Sequence, residues 1–150
     1  MWFNPLVKCL VQSRFHKLVS KYILVIGYRG RISGKWYETP VNYFQKGEML
    51  LITSRRERKW WRNLRDGAPV TIWLRGKMIQ AKAEALTSHT DVASNLQAYL
   101  QIVPKQAKYF QVALTEQGQP EPTSLWRAAQ ELVMIRVLLP VAENQDIGRT

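Results

Sequence analysis

The sequence predicts a mainly β domain of the α+β class, a small six-stranded antiparallel β-barrel with peripheral helices packed outside it. Three observations support this prediction. Most of the segments with strand signals are joined by tight turns, which is typical of antiparallel hairpins. Only a few segments show helical spacing. A late apolar segment follows them, and it would pair with an otherwise open sheet edge and close the barrel.

The first half of the chain predicts three strands. Residues 22–28 are apolar and rich in β-branched and aromatic side chains, as in a buried strand. Residues 37–45 predict a half-buried strand, because one face carries alternate residues Tyr37, Thr39, Val41 and Tyr43. The turn at residues 46–48 leads into residues 49–53, which predicts a hairpin.

A second hairpin is predicted after a cation-rich segment. Residues 55–65 contain two adjacent tryptophans and end at residues 66–67, Asp-Gly, which is a helix stop signal. Residues 70–74 then predict a strand, residues 75–77 a tight turn, and residues 78–86 the partner strand.

Helical spacing returns in the second half. Thr90 and Asp91 are the predicted cap of a helix with apolar positions Val92, Leu96, Tyr99, Leu100 and Val103, and Pro104 ends it. Residues 107–114 predict another short helix and residues 118–123 a Pro-rich loop. Residues 132–139 predict the late apolar strand.

We expect a single barrel domain, since the chain has 150 residues and shows neither an internal repeat nor a second composition. Its expected parts are an N-terminal helix at 1–21, the barrel at 22–139 and a solvated tail at 140–150. Asn4 and Pro5 are good start signals for that helix. The apolar stripe of residues 5–22, flanked by lysine and arginine, predicts three alternatives: packing on the domain, a homodimer interface, or peripheral contact with an anionic membrane.

Composition limits the partners. Lys and Arg total 22 against 11 acidic residues, for a net charge of +11, which favours phosphates, anionic cofactors, nucleic acid or anionic membranes. The single cysteine, Cys9, excludes an internal disulfide, and His16 and His89 lack metal-ligand spacing, so no metal site is expected. Neither a membrane-spanning run nor a secretory signal is recognisable, which predicts a cytoplasmic protein.

The loop at residues 30–35 is the strongest candidate for ligand binding. Its two glycines, Gly30 and Gly34, would let the backbone turn with exposed amides beside Ser33, while neighbouring cations surround them. Such a loop suits a phosphate. The alternative is a tight basic turn without a ligand.

These motifs resemble the deazaflavin-dependent nitroreductase and quinone reductase family, whose fold is the flavin-reductase-like split β-barrel. The resemblance spans residues 22–139. It depends on three motifs in order: residues 30–34 with Thr39-Pro40-Val41, then Ser54-Arg55, then residues 60–64, Trp-Trp-Arg-Asn-Leu.

The resemblance implies that the cofactor is coenzyme F-420, an 8-hydroxy-5-deazaflavin with an anionic tail. The matching positions are Arg31, Ser33, Gly34 and Lys35 in the phosphate loop, Thr39 and Pro40 after it, Ser54 and Arg55 at the ring, and Trp60 and Asn63 over ring and tail. Ile32 departs from the family, in which many members carry a cation there; Arg29, Arg55, Arg56 or Arg58 could replace that charge.

The implied reaction is hydride transfer from the reduced cofactor to a small acceptor such as a quinone or nitroaromatic compound. Such an enzyme needs no protein nucleophile or acid–base dyad, and no catalytic residue is predicted. Tyr43 and Tyr109 are candidate acceptor-binding residues, although a packing role suits either one. Two alternatives stay open: an FMN-binding split barrel, and a non-catalytic basic module for lipid or RNA. Because no usual RNA-binding motif occurs, nucleic acid is not the expected partner.

Overall fold

A computed structural model of the protein describes residues 23–140, which form a closed antiparallel β-barrel with helices on one side. The strands are β1 (Ile23–Arg29), β2 (Trp36–Lys46), β3 (Met49–Arg55), β4 (Ala68–Leu74), β5 (Lys77–Leu86) and β6 (Leu132–Leu138). The helices are α1 (His89–Ile102) and α2 (Pro122–Glu131), with short 3-10 helices at Trp60–Leu64 and Pro104–Gln106. The order around the barrel is β1-β2-β3-β6-β5-β4. The predicted six-stranded antiparallel barrel is therefore confirmed.

Strand periodicity divides the apolar residues between two cores. In β3, Leu50 and Ile52 point into the barrel, whereas Leu51 between them points outward and packs with the helices. Met134 of β6 joins Leu51 in this outer core. Helices α1 and α2 supply the opposite side, with Leu96, Leu100, Ala128 and Ala129 among the buried residues. The helices therefore cover the outer face of β3 and β6.

The barrel is split between β2 and β3. These strands pair from Tyr43 with Ile52 to Lys46 with Met49, at the hairpin end. Farther from the turn, residues 36–42 of β2 pair with β1, and residues 53–55 of β3 pair with β6. Pro40 lies in this part of β2, where a residue without an N–H suits a strand that has lost one neighbour. A gap therefore opens between residues 39–42 and 53–55.

The structure corrects three predictions about the helical half. The cap of α1 is Ser88, whose Oγ accepts a hydrogen bond of 3.1 Å from the Asp91 amide. Residues 107–114 form turns rather than a helix, because Gln111 has a φ of 58° and Val112 N bonds back to Ala107 O. The Pro-rich loop predicted at residues 118–123 runs into α2, a helix that was not predicted.

Three predictions fall outside the described residues: the amphipathic helix at residues 5–22, the barrel's first predicted residue, Tyr22, and the tail beyond Pro140. Within residues 23–140, no helix has both the length and the apolar character needed to cross a membrane.

Candidate functional site

The gap between β2 and β3 opens into a cleft of about 500 Å³, here called the split cleft. One wall is residues 39–42 of β2, and the facing wall is residues 53–55 of β3. The other lining residues are Arg58, Trp60, Tyr109, Phe110, Gln111, Ala128, Glu131 and Leu132. The site thus combines two strand edges with the segment between the helices and the end of α2.

Trp60 is fixed in the split cleft by a buried hydrogen bond. Its Nε1 donates to Ser54 Oγ over 3.0 Å, and that hydroxyl donates to Arg55 O over 3.2 Å. The ring of Trp60 also lies against Tyr28, with 5.8 Å between the ring centroids. Because its only side-chain N–H is used inside the protein, the Trp60 side chain can present only ring surface to a ligand. Both Trp60 and Trp61 are buried and belong to the barrel core.

The segment at residues 55–58 contains three arginines, and they have different roles near the split cleft. Arg55 and Arg58 line the cleft, and Arg55 also makes a largely exposed ion pair of 3.1 Å with Glu57. Arg56 instead donates through Nη2 to the carbonyl oxygens of Thr87 and Leu132, at 2.8 and 3.0 Å. Arg55 and Arg58 therefore remain available to an anionic ligand, whereas Arg56 holds the strands together.

The loop at residues 30–35 uses its own amides, contrary to the predicted exposed cradle. Gly30 N donates to Lys35 O over 2.8 Å, and Gly34 N donates to Gly30 O over 2.9 Å. Lys35 N donates to Ser33 Oγ over 3.2 Å. Gly34 has a φ of 71°, which its lack of a Cβ allows without strain. These three amides are therefore not available to a phosphate, which would bind through other amides of the loop or through its exposed side chains.

Asn63 connects this loop to the split cleft. Its Oδ1 accepts a hydrogen bond of 2.9 Å from Arg31 N, and its Nδ2 donates to Trp60 O over 2.9 Å. Arg29 braces the same loop, since its Nη1 donates to Gly34 O over 3.0 Å. A cofactor contact by the Asn63 amide would therefore have to share or replace these bonds.

The two candidate tyrosines lie in different environments. Tyr43 is 9% exposed and belongs to the barrel core, outside the lining of the split cleft. Burial raises the pKa of the Tyr43 hydroxyl, and Arg75 nearby opposes part of this rise. Tyr109 is 72% exposed, lines the cleft and packs edge-on against Phe110, with centroids 5.0 Å apart. Only Tyr109 is in a position to meet a ligand there.

The structure brings together six of the twelve predicted site residues in the split cleft: Thr39, Pro40, Ser54, Arg55, Trp60 and Tyr109. Arg31, Ser33, Gly34 and Lys35 lie in the adjoining loop, which Asn63 braces. The polar lining residues that prediction from sequence missed include Asn42, Gln111 and Glu131. Asn42 carried a signal, since it follows the Thr39-Pro40-Val41 motif directly. Among residues 23–140, no group of three or more His, Cys, Asp or Glu residues could hold a metal ion.

Comparison with known proteins gives the fold. No protein-family model matches the chain, and no curated protein matches its sequence. A pyridoxamine 5′-phosphate oxidase-related, FMN-binding protein from Nostoc punctiforme is 14% identical with a TM-score of 0.54, covering 94% of this chain and 84% of its own. An FAD- and haem-binding protein from Mycobacterium smegmatis is 14% identical with a TM-score of 0.51, covering 86% and 67%. At these identities the likeness shows a shared split-barrel fold.

Proposed function

We propose that this protein is an oxidoreductase that binds a flavin-type cofactor in the split cleft. The observation that carries the proposal is the convergence of six predicted residues on one cleft of about 500 Å³. Five of them were selected from the motifs of the family resemblance and Tyr109 as a candidate acceptor-binding residue. Chain folding brings all six to the same gap between β2 and β3. Two structurally similar proteins are named for binding FMN or FAD, which supports the same cofactor class.

The chemistry of the cleft fits a planar, hydrogen-bonding ring. Residues 39–42 and 53–55 are strand segments that part from each other, and such edges offer backbone donors and acceptors to a ring inserted between them. Trp60 adds apolar ring surface, and Arg55 and Arg58 add positive charge. These groups would bind the ring, orient it and limit access of water to it.

We infer that the cofactor is coenzyme F-420, with FMN as the alternative, and that the acceptor is a small quinone or nitroaromatic compound. The bound cofactor would supply the hydride, which explains why the cleft needs no protein nucleophile. Arg31 and Lys35 are exposed and would hold the anionic tail. The Tyr109 hydroxyl, at the mouth of the cleft, would hydrogen-bond an acceptor oxygen and stabilise charge developing on it. In this proposal residues 1–150 form one domain.

The test is a titration of the purified protein with coenzyme F-420, FMN and a short oligonucleotide, at low and high salt. We expect F-420 to bind at micromolar concentration. Arg31→Ala combined with Lys35→Ala should weaken binding about tenfold or more, since hydrogen bonds to charged groups contribute about 1.5–3 kcal/mol each. Lys77→Ala, an exposed cation outside the cleft, is the matched control. Binding of the oligonucleotide without either cofactor would contradict the proposal, and equal losses of binding and thermal stability would assign the loop a structural role.

A further inference from the structure

Ile32 is the most exposed large apolar residue of the described chain. It lies in the loop between β1 and β2 with its side chain fully in solvent. Single exposed apolar residues are common on protein surfaces, so Ile32 acquires meaning only from its surroundings.

The residues next to Ile32 have the composition of a bilayer-contacting loop. Arg31 and Lys35 are exposed on either side of it. Trp36, which opens β2, is 42% exposed, and its Nε1 donates to Glu38 Oε1 over 3.1 Å. Half-exposed indoles and cations that flank an apolar tip are features of protein segments at the membrane interface.

This loop is held in its protruding shape. Gly30 N and Lys35 O close its base over 2.8 Å, and Asn63 accepts the Arg31 amide over 2.9 Å. A Cβ at Gly30 would lie 2.6 Å from Ser33 Oγ and 2.9 Å from the Tyr37 ring, so a larger residue there would displace these side chains. Because these bonds fix the base of the loop, Ile32 is already held in the exposed position. Binding through Ile32 would therefore require little additional ordering of the loop backbone.

Further positive charge lies beside the loop. Asn63, which braces the loop, is preceded by Arg62, an exposed residue whose guanidinium lies 5.7 Å from the ring centroid of Trp61. Arg65 lies over the same ring at 5.1 Å. Both arginines are exposed, and they add positive charge next to Asn63, the residue that braces the loop.

We propose that residues 31–36, together with Arg62 and Arg65, form a docking surface for an anionic lipid bilayer. Ile32 inserts among the headgroups, Trp36 lies at the interface, and the cations contact lipid phosphates. Charge complementarity supports this occupant, as does the net charge of +11. A free phosphate or an RNA backbone would satisfy the cations but leave Ile32 in water. Ile32, Trp36 and Arg62 lie outside the split cleft, whereas Arg31 and Lys35 are shared with the proposed site for the cofactor tail. The variants of this surface are therefore confined to Ile32 and Arg62.

The experiment is flotation of the full-length chain with phosphatidylcholine vesicles, with and without about one-third phosphatidylglycerol. We expect binding to the anionic vesicles and its loss at high salt. Ile32→Ser should lower the partition coefficient about five- to tenfold, and Ile32→Leu should retain it, because insertion depends on apolar area. Arg62→Gln should lower it about fivefold. Met78→Ser, at a 65% exposed apolar residue of β5, is the matched control and should bind as the unchanged protein does.

All variants keep residues 1–22, so a loss specific to Ile32→Ser is attributable to this loop. Unchanged melting temperature and unchanged F-420 titration would separate that loss from unfolding and from the cofactor site. Equal flotation of Ile32→Ser and Met78→Ser would overturn the proposal. So would equal binding to neutral vesicles, or binding of an oligonucleotide but not of anionic vesicles, which would identify a nucleic-acid surface instead.

Discussion

Ser54 and Trp60 show how two side chains shape the split cleft. The Ser54 hydroxyl is buried, and it is satisfied because it accepts from Trp60 Nε1 and donates to Arg55 O. A buried hydroxyl without hydrogen-bond partners would destabilise the fold. The stabilisation from the bond between Ser54 and Trp60 therefore requires both side chains. The bond fixes the indole ring beside the place where β3 leaves β2.

A double-mutant cycle tests this pair. We expect Ser54→Ala and Trp60→Phe each to destabilise the fold, with a coupling energy of about 1 kcal/mol between them, because either change removes the same hydrogen bond. Urea unfolding of the two single variants and the double variant measures the coupling. Strict additivity of the free energies would show that the bond contributes no net stability.

At the scale of single elements, α2 depends on an acidic cap. Glu121 accepts hydrogen bonds of 2.8 Å from the amides of Thr123 and Ser124, and Pro122 occupies the first turn, where its missing N–H has no cost. Leu125, Ala128 and Ala129 then face the outer core at helical spacing. The glycine and prolines of residues 118–123 predicted a loop, and the short helix α2 that begins within this segment was not predicted.

The cap makes the stability of α2 dependent on pH. The amide of Ser124 and then that of Thr123 hold the pKa of Glu121 below its usual value, because both bonds favour the carboxylate. The resulting stabilisation is complete above the pKa of the unfolded chain and is lost as pH falls through the lowered folded pKa. Glu121→Gln should therefore lower the melting temperature near neutral pH, and this difference should disappear in acid. Thermal melts across pH measure it.

Glu116→Gln is the matched control for this effect, since Glu116 lies in the turn before α2 and outside any described helix. It removes the same charge without removing the cap. If both variants changed the melting temperature equally at each pH, general charge would explain the effect and the cap would not.

For the whole molecule, the important feature is the exchange of strand partners at the split. β3 pairs with β2 near the hairpin turn but with β6 along its whole length, while β2 continues along β1. Backbone groups that face the gap consequently lack the ladder partner that a continuous sheet would supply. This arrangement turns a closed barrel into one with an opening large enough for a ligand.

Hydrogen exchange should report the split directly. We expect the amides of residues 41–42 and 53–55 that face the gap to exchange faster than those of residues 43–46 and 50–52, since only the latter lie in the paired end. Adding coenzyme F-420 should slow the gap amides and leave the β4–β5 hairpin unchanged. Uniform protection along β2 and β3, measured by NMR, would contradict an open split.

Particular residues show how far prediction from sequence reaches here. Gly47 and Gly76, each with positive φ, marked two hairpin turns correctly, because turn chemistry is local. Tyr43 and Tyr109 were equal candidates in the sequence, yet one lies in the barrel core and the other lines the cleft. Whether such a side chain meets a ligand depends on neighbours distant in sequence.

Period-two alternation and turn residues were sufficient to predict the barrel and its strand order along the chain, because both arise from adjacent residues. The position of the split and the complete lining of the cleft depend on how the barrel closes and on where the helices pack. The pairing of β3 with β6 opens the split, and Gln111 and Glu131 join the cleft only because the helices pack there. Folding also brought Asn63 to the Arg31 amide and left Ile32 exposed. Long-range pairing and burial determine these features, and no local pattern encodes them.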